Sequence, residues 1–115
     1  MASTKQDLKQ RSSYAWEKAY LAVRGMAASN ESLHRRIGDA YIYHLTHIHD
    51  DNVTPAIFAR LSALAERLTR EPDAGQGSVA ATIITISDLE AHDLANEISD
   101  IYWAICQIHL TGEER

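Results

Sequence analysis

Between residues 91 and 108 the apolar side chains Ala91, Leu94, Ile98, Ile101, Ile105 and Ile108 follow one another at steps of 3, 4, 3, 4 and 3. A period near 3.5 draws one stripe along an α-helix, whereas strand side chains alternate at every second position. The spacing recurs at Leu8, Ala15, Ala19, Ala22 and Met26, and again at Ile57, Leu61, Leu64 and Leu68. Helices that carry such seams pack at shallow angles around a shared core. The pattern predicts an all-α fold, an antiparallel up-and-down bundle of four main helices plus one short helix, in a single domain over residues 1–115.

The residues between the seams mark where each helix begins and ends. The first helix is expected over residues 5–28, closing near Ser29-Asn30, and Ser29 or Asn30 then caps the next. That second helix carries Leu33, Ile37, Ala40, Tyr41 and Ile48, and is expected to stop near Asp50-Asp51-Asn52, because carboxylates oppose the dipole at a C-terminal end. Thr54-Pro55 starts the third: Thr caps, and Pro suits a first turn whose N–H has no partner. Arg67 and Arg70 favour its last turn, and Pro72 closes it. Residues 73–77 read as a loop, and residues 79–86 as a short helix with Val79, Ile83 and Ile86 inward. Ser87-Asp88-Leu89-Glu90 matches a capping box, and the last helix runs to about residue 110 before Gly112.

Composition narrows the functional classes. With 45% hydrophobic and 23% charged residues and only seven Pro plus Gly, the chain has enough apolar content for a packed core and is not a disordered one. A lone cysteine, Cys106, excludes a disulfide framework and fits an inert packed thiol. No apolar run follows Met1, and the longest uncharged stretch, residues 74–87, is fourteen residues against the roughly 20 needed to span a bilayer. A cytoplasmic protein without a membrane segment is the expectation.

The net charge of −5 averages two unlike halves. Residues 1–60 carry eight Lys/Arg and six Asp/Glu, a net of +2, whereas residues 61–115 carry three and ten, a net of −7. From Glu71 to Glu114 there is no Lys or Arg and there are nine carboxylates. This disfavours nucleic acid, whose phosphates recruit cationic surfaces. Glu90, Asp93, Glu97 and Asp100 line one flank of the last helix. Such a flank is either solvated, or paired with cations such as Lys5, Lys9, Arg11 or Lys18, or a docking face for a basic protein. Tyr14, Tyr20, Tyr43 and Trp103, with Leu21 and Ile42, fall off the seams, and aromatics outside a core often anchor interfaces. Trp103 is the leading anchor. The residues therefore point to a small non-enzymatic protein–protein interaction module, a regulator, inhibitor or adaptor, that acts through an acidic helix face and exposed aromatics and forms a homodimer.

The alternative is a metal-binding bundle with hydrolytic chemistry. Four of the six His lie in residues 34–49. On a continuous helix His44 and His47 share a face that Asp51 extends, a donor set suited to Zn²⁺ or another divalent cation. Further ligands would come from His92, Asp93 or Glu97. No His-Glu-x-x-His or Cys pattern accompanies them, and Glu31-x-x-His34 occurs in one copy where a di-iron bundle needs two. Gly75-Gln76-Gly77 offers N–H groups to an anion but lacks a Walker lysine. No nucleophile elbow, kinase signature or dinucleotide fingerprint is present.

Overall fold

The structure is a computed structural model and describes residues 4–114. The regular structure of the described residues is all helical, with no strand: α1 spans Lys5–Ala28, α2 Leu33–Tyr43, α3 Pro55–Leu68, α4 Ser78–Ile83 and α5 Asp88–Thr111. Two single 3₁₀ turns, Leu45–His47 and Asp50–Asn52, join α2 to α3. No described helix is long and apolar enough to cross a membrane.

The helix ends follow from local hydrogen bonding. Thr4 and Asp7 form a reciprocal capping box at α1: the Thr4 hydroxyl accepts from the Asp7 N–H at 3.0 Å, and the Asp7 carboxylate accepts from the Thr4 N–H. Ser29 closes α1 rather than opening α2; the N-cap of α2 is Ser32, whose hydroxyl accepts from the Arg35 N–H at 3.2 Å. Thr54 caps α3, with Pro55 in its first turn as expected. Gly112 ends α5 in the left-handed region at φ 73°. At Ser87 the box expected at α5 is half made. The hydroxyl accepts from the Glu90 N–H at 3.1 Å, while the Glu90 carboxylate turns away to Arg70.

The second helix is shorter than its sequence predicts. It stops at Tyr43, with His44 as the cap residue, instead of near Asp50-Asp51-Asn52. Continuing it would put Asp50 and Asp51 at the negative end of the dipole. Instead the chain breaks, the Thr46 hydroxyl donates to the orphaned Ile42 carbonyl at 2.9 Å, and both aspartates sit in the first turn of a new 3₁₀ segment. Leu45, Ile48 and Val53 still reach the core from these turns. The segment 79–86 is helical only to Ile83; Val79 and Ile86 are buried, Ile83 packs against the core and Ile84 points out.

α5 is the central element and touches α1, α2 and α3. Its seam of Ala91, Leu94, Ile98, Ile101, Ile105 and Ile108 is buried throughout. α1 meets it with a row of small residues, Ser12, Ala15, Ala19 and Ala22, which lets the two backbones run close together over their length. Lys5 pairs with Glu113 and Trp16 stacks on His109 with ring centroids 5.0 Å apart, so the start of α1 lies against the end of α5. Thr54 donates to Glu114, which brings the start of α3 to the same pole. Leu61, Leu64 and Leu68 of α3 and Ile37 and Ala40 of α2 complete one core cluster.

Candidate functional site

The outer surface of α5 holds the residues that the charge pattern singles out, and the fold divides them. Glu90 and Glu97 lie on the flank turned toward α3. The Arg70 guanidinium grips Glu90 with two hydrogen bonds of 2.8 and 3.0 Å, Arg67 stands 3.7 Å away, and Arg60 pairs with Glu97. A two-pronged guanidinium–carboxylate contact is the strongest form of such a pair. These carboxylates are therefore committed to holding α3 on α5, and their cations come from α3 (Arg60, Arg67) and from Arg70 just beyond its end rather than from the first helix.

Asp93 and Asp100 are on the solvent side, and among the described residues no cation pairs with either. Trp103 stands with them, 66% exposed. α5 thus separates the four acidic residues into a structural pair and an outward pair, with an aromatic ring beside the outward one. Leu89 and Leu110, which the sequence reasoning passed over, are on the same outward face and are more than two-thirds exposed or close to it, at 73% and 67%. Their signal was available in the spacing: Leu89, Asn96, Trp103 and Leu110 are each seven residues apart.

The other off-seam residues scatter over the surface. Tyr14, Tyr20, Ile42 and Tyr43 are exposed, and Leu21 is half-buried. Tyr20 stacks on Trp16, and Lys18 lies over the Tyr14 ring at 5.2 Å, so both tyrosines have partners within α1. Ile42, Tyr43 and Ile84 border a groove of about 340 Å³ between α2 and α4, whose charged residues Arg35 and Asp39 pair with each other.

The His cluster is not arranged as the continuous helix would have set it. His44 is the half-buried residue just past α2, His47 is exposed in the first 3₁₀ turn and Asp51 is exposed in the second. The helical register that would align them is absent, and among the described residues no group of three or more His, Cys, Asp or Glu is placed to hold a metal ion. Burial, with Lys18 and His47 nearby, holds the His44 imidazole below its usual pKa of 6.5 and so favours its neutral form. His34 has a structural role instead: its Nε2 lies 3.1 Å from the Ile86 carbonyl and joins α2 to the start of α5.

The glycine loop carries its own anion. The Asp73 carboxylate accepts from the N–H groups of Gly75 and Gly77, both at 2.8 Å, and these bonds hold its pKa below the ordinary value. The Gly75 and Gly77 N–H groups, which the sequence offers to an anion, are therefore taken by the chain itself.

Comparison with known proteins returns no match of this chain to a protein-family model, a curated protein or a solved structure.

Proposed function

We propose that the chain is a small non-enzymatic interaction module, a regulator, inhibitor or adaptor, that presents the outward face of α5 to a basic protein. The supporting observation is the pairing of an exposed tryptophan with two carboxylates that no cation of the described chain neutralises. An indole ring offers a large apolar contact with few rotatable bonds, and residues of this type dominate binding at interfaces. Unneutralised carboxylates beside it steer a cationic partner and repel phosphate backbones. An antiparallel up-and-down arrangement of the four main helices suits the role, because it fixes α5 on three neighbours and leaves one face free. The meeting of Lys5 with Glu113 and of Thr54 with Glu114 supports that arrangement.

The test is a photo-reactive side chain at Ser99, an exposed position between Asp93 and Trp103. Introduced in the organism that encodes the protein, it should cross-link to a discrete protein. That product should vanish when Asp93 and Asp100 are changed to Lys or Trp103 to Ala. A product that survives both changes would sink the proposal, as would the lack of any product.

A further inference from the structure

We infer that the occupant of the α5 face is a single basic amphipathic helix, laid along α5 in coiled-coil register. The inference rests on the docking role proposed above and adds the partner's shape.

Leu89, Asn96, Trp103 and Leu110 recur at steps of seven residues. A step of seven drifts by only about 20° around an α-helix, so the four side chains form one line, about 32 Å long at 1.5 Å per residue. Isolated exposed apolar residues are ordinary on any protein. Here three large ones share one line of one helix, and the buried seam of that helix lies on its other side. α5 therefore bears two seams, one filled by α1, α2 and α3 and one without a neighbour among the described residues.

A line that returns every seven residues is followed along its length by another helix with the same repeat, which here meets one apolar position per heptad rather than the two of a full coiled-coil seam. A β-strand presents side chains on one face about every 6.6 Å, out of step with positions about 10.5 Å apart on the line. Asn96 interrupts the apolar line, and a lone Asn at such a position fixes the register of a coiled coil at some expense of stability. Asp93 and Asp100 each follow a seam residue by four positions and so border the line. The partner helix must then carry Lys or Arg along that border.

A second copy of this chain meets the apolar requirement but not the charge requirement. An antiparallel two-fold pairing that aligns the seam brings Asp100 close to its own counterpart, and a parallel one brings Asp93 against Asp88 of the second copy. Like charges at such positions oppose association.

The probes are three peptides of three heptads each. One has Leu at the seam positions with Lys beside them, one has the same residues permuted so that the heptad is lost, and one has Glu in place of Lys. Calorimetry should show that the Lys heptad peptide binds. Its affinity should fall about tenfold or more for Trp103→Ala and for the double change Asp93→Lys, Asp100→Lys, the scale of a single anchor residue. The permuted peptide should bind about tenfold more weakly than the heptad peptide, and the Glu peptide should not bind. All variants are at exposed positions, and their helical circular dichroism should match the parent. Equal binding of the permuted and heptad peptides, with the Asp variants still impaired, would overturn the helix and leave the basic docking face standing. If no peptide binds, the inference falls whatever the Ser99 cross-link shows. A dimer of the chain alone that Trp103→Ala dissolves would make the second copy the occupant and overturn it as well.

Discussion

Single residues fix several of the contacts between helices. Gly112 is one. It adopts φ 73°, and a Cβ there would stand 2.7 Å from both the Cβ and the carbonyl oxygen of Lys5. Gly112→Ala should therefore lose about 1–3 kcal/mol in chemical denaturation, from backbone strain and from prising α1 off the end of α5 together. Thr82 is another. It is fully buried, donates its hydroxyl proton to the Ser78 carbonyl at 2.7 Å and accepts from the Glu71 N–H at 3.0 Å. Thr82→Val keeps the shape but strands the Glu71 N–H, and should lose about 1–3 kcal/mol, whereas Thr82→Ser should recover most of it. His44 gives a pH signature. Its folded pKa lies below 6.5, so the folded state binds fewer protons than the unfolded chain in the interval just below that value. Stability from this group is fully present above pH 6.5 and declines as pH falls toward the folded pKa. His44→Asn should flatten that part of the melting-temperature profile; an unchanged slope would show that His44 does not contribute.

At the scale of elements, α5 is read most easily through two of its own neighbours in sequence. Ile101 is fully buried and Trp103 is exposed. Ile101→Ala should lose about 2–5 kcal/mol of stability, whereas Trp103→Ala should stay within about 0.5 kcal/mol while weakening the binding proposed for it about tenfold or more. A double-mutant cycle on Arg70 and Glu90 should return a coupling of about 0.5–1 kcal/mol, the range of a partly exposed ion pair with good geometry. The bounds of α1 and α5 and the start of α3 were legible in sequence because each has a long apolar repeat and a chemical stop or cap, at Ser29, Thr54-Pro55, Ser87 and Gly112, whereas α3 ends at Leu68 and leaves Arg70, expected in its last turn, beyond the helix. α2 was misjudged for a physical reason. Leu45 and Ile48 continue its stripe and are buried, yet they reach the core from 3₁₀ turns, since periodicity reports which residues go inward and not which helix type delivers them. The metal reading leaned on that extra helical length and gains no support from the turns.

For the whole molecule, the asymmetry between a basic first half and an acidic second half is partly resolved inside the fold. Arg60, Arg67 and Arg70 lie at the boundary between the two and face Glu90 and Glu97 across the α3–α5 contact. The sequence placed Glu90, Asp93, Glu97 and Asp100 on one flank of α5. It could not divide them, because which flank meets α3 depends on how the helices are disposed around α5, a property of the assembled core. What remains outward, Asp93 and Asp100 with Trp103, is a smaller and sharper set than the acidic run suggested. The contact of Lys5 with Glu113 and the close approach at Gly112 have a topological consequence. Residues 4 and 114 lie at one pole, so a short flexible linker can close the described chain into a ring. A cut between Pro72 and Asp73 would spare the Asp73 bonds to Gly75 and Gly77 and open the ring into the order α4, α5, α1, α2, α3. Such a circular permutant should melt cooperatively with the parent's helical signal. Its new ends would hang from the connection before α4, leaving the Leu110 end of the outer stripe free of any fused body.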